Sequence, residues 1–387
     1  MQALVFDTEK GSWDETVGFD KETVPAPTLD EKNNPKDAES IILRVNYAGV
    51  CGSDKGIWYR RSFKEQILNS LAAEGKKRRI IGHEFFGEIT DVGSKAKKTG
   101  AGAMIRVGDF ATTESHLVCN ACFQCLAGER HVCTKEKIFG ISEDGGFAEF
   151  VKVPAFTLWP TDTAKIRPEI GAVQEPFGNA VHAASIVPLT GKTIAIFGLG
   201  PIGLFLLLVA RGMGAKTIIG VEPNPISQDM AKRLGIDYVI PLPKRDTPSS
   251  KHDEEVAENI LEFTNGLGAD VSFEMAGTND SLNNAIFSTR RGGDVIGFGI
   301  KNEDFVIENY NRFIVRGQTL HAVIGRRLFG TWEMTRRLLE DPRNGIQENI
   351  WNIILERGKD VILPLNSYNK AVFEEKLAKH PKILLQM

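Results

Sequence analysis

The sequence predicts an α/β protein with two domains, one rich in β-strands and one built on a doubly wound parallel sheet. The chain has 387 residues, which is more than a single hydrophobic core ordinarily organises. From about residue 190 onward, apolar strands alternate with segments of helical length, as in a parallel sheet with crossover helices. We expect six strands there, at 193–198, 217–222, 237–240, 270–275, 294–299 and 319–324.

The first 155 residues have a different pattern. The stretches "IILRVNYAGVCGSD" and "GHEFFGEITDVG" alternate apolar and polar residues between glycines, which favours short strands and turns. Residues 60–79 interrupt this pattern, because Phe63, Ile67, Leu68 and Leu71 recur at helical spacing. The simplest interpretation is an inserted surface helix, and a segment that covers the active site is the alternative.

The domain boundaries follow from these patterns. We expect a first, β-rich domain over 1–186 and 326–387, and a second domain built on the parallel sheet over 187–325. The polar run 243–255 is expected to be a solvated loop.

Composition limits the possible functions. The formal charge of -3 gives no electrostatic reason to expect a nucleic acid or an anionic membrane as partner. The N-terminus lacks the pattern of a secretory signal, and the most apolar segment, 193–214, carries glycines where a strand should turn into a helix. Four of the five cysteines lie within fifteen residues, which indicates thiols kept reduced for metal and therefore a cytoplasmic protein.

A glycine motif marks a candidate nucleotide site. "GLGPIG" places Gly198, Gly200 and Gly203 directly after a strand, with Pro201 and Ile202 beginning an apolar helix. Such a turn lets a pyrophosphate approach the backbone and the helix N-terminus. Glu222 ends the next strand, where an acid can accept hydrogen bonds from ribose hydroxyls and repel a 2′-phosphate. NAD is favoured over NADP, and a glycine-rich turn without a ligand is the alternative.

The clustered cysteines predict a metal site. Cys119, Cys122, Cys125 and Cys133 have the spacing C-x2-C-x2-C-x7-C. Four thiolates can surround Zn²⁺ and leave no open position, which is typical of a structural site. An iron–sulfur cluster and unpaired core cysteines are the alternatives.

A second metal site is conceivable around the remaining cysteine. Cys51 has candidate partners in the adjacent His83 and Glu84, and in Glu175. A thiolate, an imidazole and a carboxylate can hold Zn²⁺ and leave a position for a substrate oxygen. Spacing alone does not decide this, because a lone cysteine is most often buried packing.

The motifs occur together in an order that is highly specific. "CGSD", "GHEFFGEITDVG", the four-cysteine segment and "GLGPIG" follow one another over essentially the full length of the chain. In this the chain resembles the zinc-containing medium-chain alcohol dehydrogenases, which implies a GroES-like catalytic domain and a Rossmann domain. Within that family it is most similar to the threonine dehydrogenases, through 134–155, 175–184 and 325–339.

The resemblance also implies roles for individual residues. It places Cys51, His83 and Glu84 near a catalytic zinc, with Glu175 able to approach it, and the four clustered cysteines on a structural zinc. Ser53 matches the hydroxyl that passes the substrate proton away, His116 a histidine linked to substrate choice, and Arg326 an arginine near the cofactor.

Several positions depart from the family pattern. Gly56 replaces the histidine that often ends the proton relay, Gly330 replaces a glutamate, and Glu333 replaces an aromatic residue. These changes and the insertion at 60–79 concern the substrate side. The chemistry is therefore better specified than the substrate.

The predicted function is zinc-dependent transfer of hydride from a secondary alcohol to NAD. Threonine is the first candidate for the small-molecule substrate, and a polyol or sugar is the second. Two other classes remain, a non-catalytic dinucleotide sensor and a protein whose zinc loop binds a partner. The family resemblance implies a homotetramer, and neither a nucleic acid nor a membrane is expected as partner.

Overall fold

The computed structural model describes residues 1–242, 250–300 and 304–387. The predicted loop 243–255 therefore falls partly outside the described residues, and its last two residues already belong to a helix. The strands are β1 Gln2–Asp7, β2 Asp20–Thr23, β3 Ser40–Gly49, β4 Arg78–Ile80, β5 Glu84–Val92, β6 Phe110–Thr113, β7 His116–Leu117, β8 Lys137–Ile138, β9 Phe150–Pro154, β10 Leu158–Pro160, β11 Thr193–Phe197, β12 Thr217–Glu222, β13 Tyr238–Pro241, β14 Ala269–Glu274, β15 Thr289–Gly297, β16 Thr319–Ala322, β17 Ile362–Pro364 and β18 Leu384–Gln386.

Helices are the minor component of the first half of the chain and the major component of the second. The α-helices are α1 Gly52–Trp58, α2 Lys64–Glu74, α3 Phe123–Leu126, α4 Pro168–Gly171, α5 Gln174–Ala184, α6 Pro201–Gly212, α7 Pro225–Arg233, α8 Glu254–Phe263, α9 Asn279–Ser288, α10 Tyr310–Val315, α11 Gly330–Glu340, α12 Ile346–Asn349 and α13 Lys370–Lys379. A π-helical segment, Ile350–Ile354, follows α12. None of the helices in the described ranges is long and apolar enough to cross a membrane.

The chain divides into two compact units. The first comprises Met1–Pro176, Arg327–Glu340 and Leu355–Met387, and the second Phe177–Arg326 and Asp341–Ile354. The second unit thus includes a short C-terminal segment in addition to the stretch around 187–325 that carries the nucleotide-binding pattern.

The first unit is built mainly on antiparallel strand pairs, with β17 and β18 paired in parallel. Its largest sheet has the order β10-β6-β5-β3-β18-β17, with β9 also paired to β3, and smaller sheets have the order β2-β1-β4 and β7-β8. The long strands β3 and β5 pair antiparallel, with Gly49 opposite Glu84. The C-terminal strand β18 lies on the other side of β3, with Leu384 opposite Gly49. The end of β3 therefore lies beside the beginnings of β5 and β18, although the three strands are distant in sequence.

The second unit contains a six-stranded sheet with the order β13-β12-β11-β14-β15-β16. All five strand pairs are parallel, and the buried residues of β11 and β12 are mostly isoleucine, valine and alanine, as expected for strands covered on both faces. The strand order reverses between β11 and β14, which is the switch point of a doubly wound fold. The predicted fold class and the six predicted strands are confirmed.

The predicted helix within 60–79 is also confirmed, as α2. Ile67 and Leu71 are buried on one face. Arg79, itself fully buried, donates hydrogen bonds to Glu74 at 2.7 Å and to Asp144 at 3.2 Å. The bond from the buried Arg79 to Asp144 holds the end of the insertion against the rest of the first unit.

Candidate active site

The pairing of β3 with β5 assembles a group of three potential metal ligands. Cys51 follows β3 and precedes α1, while His83 directly precedes β5 and Glu84 begins it. One ligand atom from each of these residues lies within 4.8 Å of the others. We call Cys51, His83 and Glu84 the mixed group.

Two neighbours orient His83 in the mixed group. Its Nε2 lies 3.3 Å from Ser53 Oγ, and its Nδ1 lies 3.6 Å from Asp54 Oδ1. The other oxygen of Asp54 accepts a hydrogen bond of 2.8 Å from the Cys51 N–H. Asp54 makes no hydrogen bond to the imidazole at this distance, and its carboxylate acts on the Nδ1 side of the ring through its charge, in the place where carboxylates stand behind metal-binding histidines. Asp54 lies within the motif "CGSD", whose spacing does not indicate this position.

The charges around His83 are unusually concentrated. Burial by itself lowers the pKa of His83, but the nearby Asp54, Cys51 and Glu175 outweigh it and raise the pKa to about 10. Burial raises the pKa of Asp54 and of Glu84. A site with this much negative charge and little solvent is suited to a cation.

Glu84 has a partner that sequence reasoning missed. Lys382, which lies just before β18, donates to Glu84 Oε2 and also to the Val50 carbonyl at 3.1 Å. Both side chains are essentially fully buried. Among the described residues, the other Glu84 oxygen, Oε1, has no hydrogen-bond partner. A buried carboxylate with one unsatisfied oxygen, beside a cysteine sulfur and an imidazole nitrogen, fits a bound divalent metal.

Glu175 lies close to the mixed group without joining it. It stands at the start of α5, and its Oε1 accepts a hydrogen bond of 2.7 Å from Ser115 Oγ. Its carboxylate is not among the atoms that lie within 4.8 Å of one another. Its charge nevertheless acts on Glu84 and His83 and raises the pKa of each. In this structure Glu84, and not Glu175, stands with Cys51 and His83.

The insertion explains why position 56 is a glycine. A Cβ on Gly56 would lie 2.7 Å from Ser62 Oγ, so a side chain there would collide with the insertion. The neighbouring Lys55 does not stand in for the relay histidine that Gly56 replaces, because its Nζ donates to the Leu377 carbonyl at 2.8 Å.

The four clustered cysteines form a second group of potential ligands, which we call the cysteine loop. Their sulfur atoms lie within 4.8 Å of one another, with separations of 3.5, 3.9 and 4.0 Å for three of the pairs. A tetrahedral zinc with sulfur at ~2.3 Å requires sulfur separations of ~3.8 Å. The cysteine loop therefore fits one zinc with a closed ligand set.

Backbone N–H groups surround the sulfurs of the cysteine loop. The Cys122 N–H donates to Cys119 Sγ at 3.2 Å, and the Lys135 N–H donates to Cys133 Sγ at 3.4 Å. N–H groups of Cys125 and Thr134 lower the pKa of Cys122 to about 5. Such donors stabilise thiolates, which are the form that binds metal.

His116 lies between these two groups in sequence. It begins β7, and its Nδ1 lies 3.0 Å from Glu136 Oε2. The preceding residue, Ser115, is the one that binds Glu175. His116 therefore directly follows the residue whose hydroxyl donates to Glu175, and Glu175 lies close to the mixed group.

The glycine motif in the second unit has the geometry of a nucleotide loop. Gly198 has φ of +97°, a conformation that favours glycine. A Cβ on Gly203 would lie 2.0 Å from the Gly198 carbonyl, whereas a Cβ on Gly200 would meet nothing within 4 Å. The three glycines therefore provide the turn, the close helix contact and the open approach that a pyrophosphate needs. Pro201 and Ile202 form the first turn of α6, and both are partly exposed.

Glu222 holds the glycine loop as well as ending β12. Its Oε2 accepts from the Leu199 N–H at 2.6 Å, and its Oε1 accepts from the Asn224 N–H at 2.8 Å. Each carboxylate oxygen retains capacity for a further donor, such as a ribose hydroxyl. Arg326 lies elsewhere in the second unit, buried, with Nη1 2.7 Å from Asn179 Oδ1 on α5.

Two family models match the chain. Residues 37–163 match the alcohol dehydrogenase GroES-like domain, and residues 201–341 match the zinc-binding dehydrogenase domain. The chain is 33% identical to an L-threonine 3-dehydrogenase of Pyrococcus horikoshii over 303 residues, covering 78% of this chain and 80% of the relative. It is 32% identical to that of Symbiobacterium thermophilum over 355 residues, covering 92% and 90%.

Solved structures have the same fold. A putative zinc-binding dehydrogenase from Clostridium scindens superposes with a TM-score of 0.78 at 24% identity, covering 100% of this chain and 99% of that one. Galactitol-1-phosphate dehydrogenase from Escherichia coli gives a TM-score of 0.77 at 21% identity, with 100% of both chains covered.

Proposed function

This chain belongs to the family of zinc-binding dehydrogenases with an alcohol dehydrogenase GroES-like domain, and from this premise we propose that it oxidises the secondary alcohol of L-threonine with NAD. The observation that carries the proposal is the mixed group, in which a partly buried cysteine sulfur meets a buried imidazole and a buried carboxylate beside a serine hydroxyl. The product of threonine oxidation would be 2-amino-3-oxobutanoate.

The residues of the mixed group are suited to hold a catalytic zinc. Cys51, His83 and Glu84 would hold it, each through one ligand atom, and a set of three protein donors would leave a fourth position for the substrate. Zinc, when bound, supplies the Lewis acidity that makes an alcohol hydroxyl acidic near neutral pH.

The chain's own residues do the remaining work. Ser53 Oγ, placed beside His83 Nε2, takes the proton of the substrate hydroxyl. Asp54 keeps the imidazole in one orientation through its Nδ1 side, and Lys382 balances the charge of the buried Glu84. Because Gly56 replaces the usual histidine, the proton leaves Ser53 by a different group from the one common in this family.

The second unit is suited to hold the dinucleotide. The turn of Gly198, Gly200 and Gly203 accepts the pyrophosphate, and Glu222 stands where it favours ribose hydroxyls over a 2′-phosphate. NAD, when bound, accepts the hydride.

Threonine is favoured as substrate by similarity in sequence. Relatives with 33% and 32% identity carry the name L-threonine 3-dehydrogenase. The second candidate is a polyol or sugar. It stays open because the changes at Gly56, Gly330 and Glu333 and the insertion beside Gly56 concern the substrate side.

NADH formation by the purified protein with NAD⁺ tests both candidates. The substrates to compare are L-threonine, sorbitol, glucose and 2,3-butanediol, each before and after zinc removal. Metal-dependent turnover dominated by L-threonine is the expected result. Turnover of a polyol or sugar instead would keep the chemistry and replace the substrate. NAD⁺ binding without turnover of any alcohol would favour a dinucleotide sensor.

We further propose that the protein works in the cytoplasm as a homotetramer. Support comes from β16, which ends the strand order of the second unit's sheet. Apolar side chains on and near it are exposed, namely Tyr310, Ile314 and Leu320 at 61%, 52% and 38%. An edge strand with exposed apolar neighbours favours pairing with another copy. Light scattering should give four times the chain mass, and a monomer would refute this assembly.

A further inference from the structure

A buried glutamate in the second unit, Glu274, takes no part in the proposed metal site or in the glycine loop. Glu274 is the last residue of β14, the strand that pairs with β11 across the switch point. Its relative exposure is 2%. The strand β11 leads directly into the glycine loop, so Glu274 lies at the edge of the sheet where the dinucleotide is expected.

The Glu274 carboxylate organises the turn that follows its own strand. Oε1 accepts hydrogen bonds from the Ala276 N–H at 2.8 Å and the Gly277 N–H at 2.7 Å. It also accepts one from Ser281 Oγ on α9, at 2.7 Å. A single oxygen thus fixes the backbone of residues 276 and 277 and connects it to the next helix.

The main chain of Glu274 fixes a second turn, the one that follows β15. Its carbonyl accepts from the Phe298 N–H at 3.0 Å and the Gly299 N–H at 3.1 Å. A Cβ on Gly299 would lie 2.2 Å from the Gly277 nitrogen and 2.7 Å from Glu274 Oε2. The two turns therefore pack against each other and against this carboxylate with no space for a side chain.

The glycine loop belongs to the same packed arrangement. A Cβ on Gly198 would lie 3.0 Å from the Ala276 nitrogen, and the Met275 N–H donates to the Phe197 carbonyl at 2.8 Å. A displacement of the turn at 276 would therefore also displace the turn at Gly198, which is expected to receive the pyrophosphate.

The pKa of the buried Glu274 carboxyl is raised above its ordinary value. Burial raises its pKa, while hydrogen bonds from Ser281, Gly277, Ala276 and Gly299 act in the opposite direction. Residues kept in a costly buried state at the ligand-binding edge of a fold are candidates for a functional role.

We propose that Glu274 is a positioning residue for the dinucleotide, which holds the turns 276–278 and 298–300 in the shape of the nicotinamide half of the binding site. The assignment to that half follows from strand order, because Glu222 on β12 serves the adenosine half and the second nucleotide lies beyond the switch point, over β14 and β15. This inference rests on the proposed NAD-dependent function.

Two substitutions separate the acceptor oxygen from the charge. Glu274→Leu removes both at similar volume, and Glu274→Gln keeps one acceptor for the N–H groups. The dissociation constant of NAD⁺, measured calorimetrically with the zinc-loaded protein, is expected to rise about tenfold for Glu274→Leu and about threefold for Glu274→Gln. The KM for NAD⁺ should rise in parallel, with kcat much less affected.

Asp270→Leu is the matched control. Asp270 lies on the same strand at its opposite end, where it accepts from the Thr193 N–H at 2.9 Å and from Arg290 Nε at 2.6 Å. We expect this variant to lower thermal stability while leaving NAD⁺ affinity unchanged. If Glu274→Leu cannot be purified in a folded state, the NAD⁺ dissociation constant of Glu274→Gln alone tests the positioning role of Glu274.

The outcomes are distinct. Unchanged NAD⁺ affinity in the Glu274 variants, or an equal loss of affinity in Asp270→Leu, would reduce Glu274 to a structural residue and overturn the inference while leaving the proposed function intact. Failure of the wild-type protein to bind NAD⁺ would refute the proposed function, and the inference with it.

Discussion

The mixed group and the cysteine loop are two solutions to the problem of gathering metal ligands. The cysteine loop draws its four sulfurs from one short segment, and backbone N–H groups of the same segment support them. The mixed group draws its members from the ends of β3 and β5, and it is supported by Lys382 from the C-terminus. One group is local in sequence and the other exists only in the folded sheet.

This difference in construction corresponds to a difference in chemistry. The cysteine loop fits a closed tetrahedron, and such a site contributes folding free energy. The mixed group contains three kinds of donor, an unpartnered carboxylate oxygen and an adjacent serine hydroxyl. The comparison predicts that damage to the cysteine loop will appear mainly in stability, and damage to the mixed group mainly in turnover.

The largest effect should come from Cys51→Ser. Loss of the thiolate removes a zinc donor from the mixed group, and we expect turnover to fall about 10⁴-fold, which is about 5.5 kcal/mol of activation free energy. Zinc content should fall from two to one per chain while circular dichroism stays native. Retained turnover with two bound zinc ions would contradict the assignment of Cys51.

The next largest effect should come from Lys382→Met, and it should appear in stability. This change leaves the buried carboxylate of Glu84 without its cation, which typically costs about 3–5 kcal/mol in the free energy of unfolding. Chemical denaturation of the zinc-free protein measures it. Lys379→Met, at an exposed lysine paired with Glu375, is the control and should not shift the midpoint. A loss no greater than in the control would show that Glu84 does not depend on Lys382.

A smaller effect on stability is expected for Cys122→Ser in the cysteine loop. One zinc should be lost, with a decrease of about 2–4 kcal/mol in the free energy of unfolding, because a structural zinc contributes its binding free energy to folding. Turnover per folded molecule should remain within about threefold of wild type, since the closed site does not bind substrate. A loss of turnover comparable to that of Cys51→Ser would remove the distinction between the two groups.

The smallest effect should come from Asp54→Asn. The amide weakens the orientation of His83, and zinc affinity at the mixed group should fall about 10- to 100-fold, as for other carboxylates behind metal-binding histidines. Competition with a coloured chelator measures this affinity. Asp37→Asn, at another buried aspartate that binds Lys152, is the control for general damage. Equal zinc affinity in both variants would mean that Asp54 does not act through His83.

The parts that could be predicted from sequence are those with local signals. The glycine loop, the six parallel strands and the cysteine loop each occupy a continuous segment in which spacing determines geometry. Only the family resemblance predicts that Cys51 lies close to His83 and Glu84. Their spacing in sequence does not, because the three residues are brought together by the pairing of Gly49 with Glu84 across two strands.

The supporting residues were beyond sequence reasoning for the same reason. Lys382 lies almost three hundred residues from Glu84, and the contact of Ser115 with Glu175 also joins distant segments. Glu274 follows an ordinary strand pattern, and only the folded turns show what its carboxylate binds. The spacing of the sequence also does not show that Ser62 of the insertion lies beside Gly56 and restricts the space for a side chain there.

The central claim is that the mixed group holds the zinc on which alcohol oxidation depends. The most direct measurement follows L-threonine-dependent NADH formation and zinc content in the same sample, as zinc is added back to protein stripped by a chelator. We expect no turnover without zinc at the mixed group and recovery in proportion to the zinc bound there, with Cys122→Ser recovering fully after one equivalent. Full turnover in the zinc-free protein, or recovery in Cys51→Ser, would contradict it.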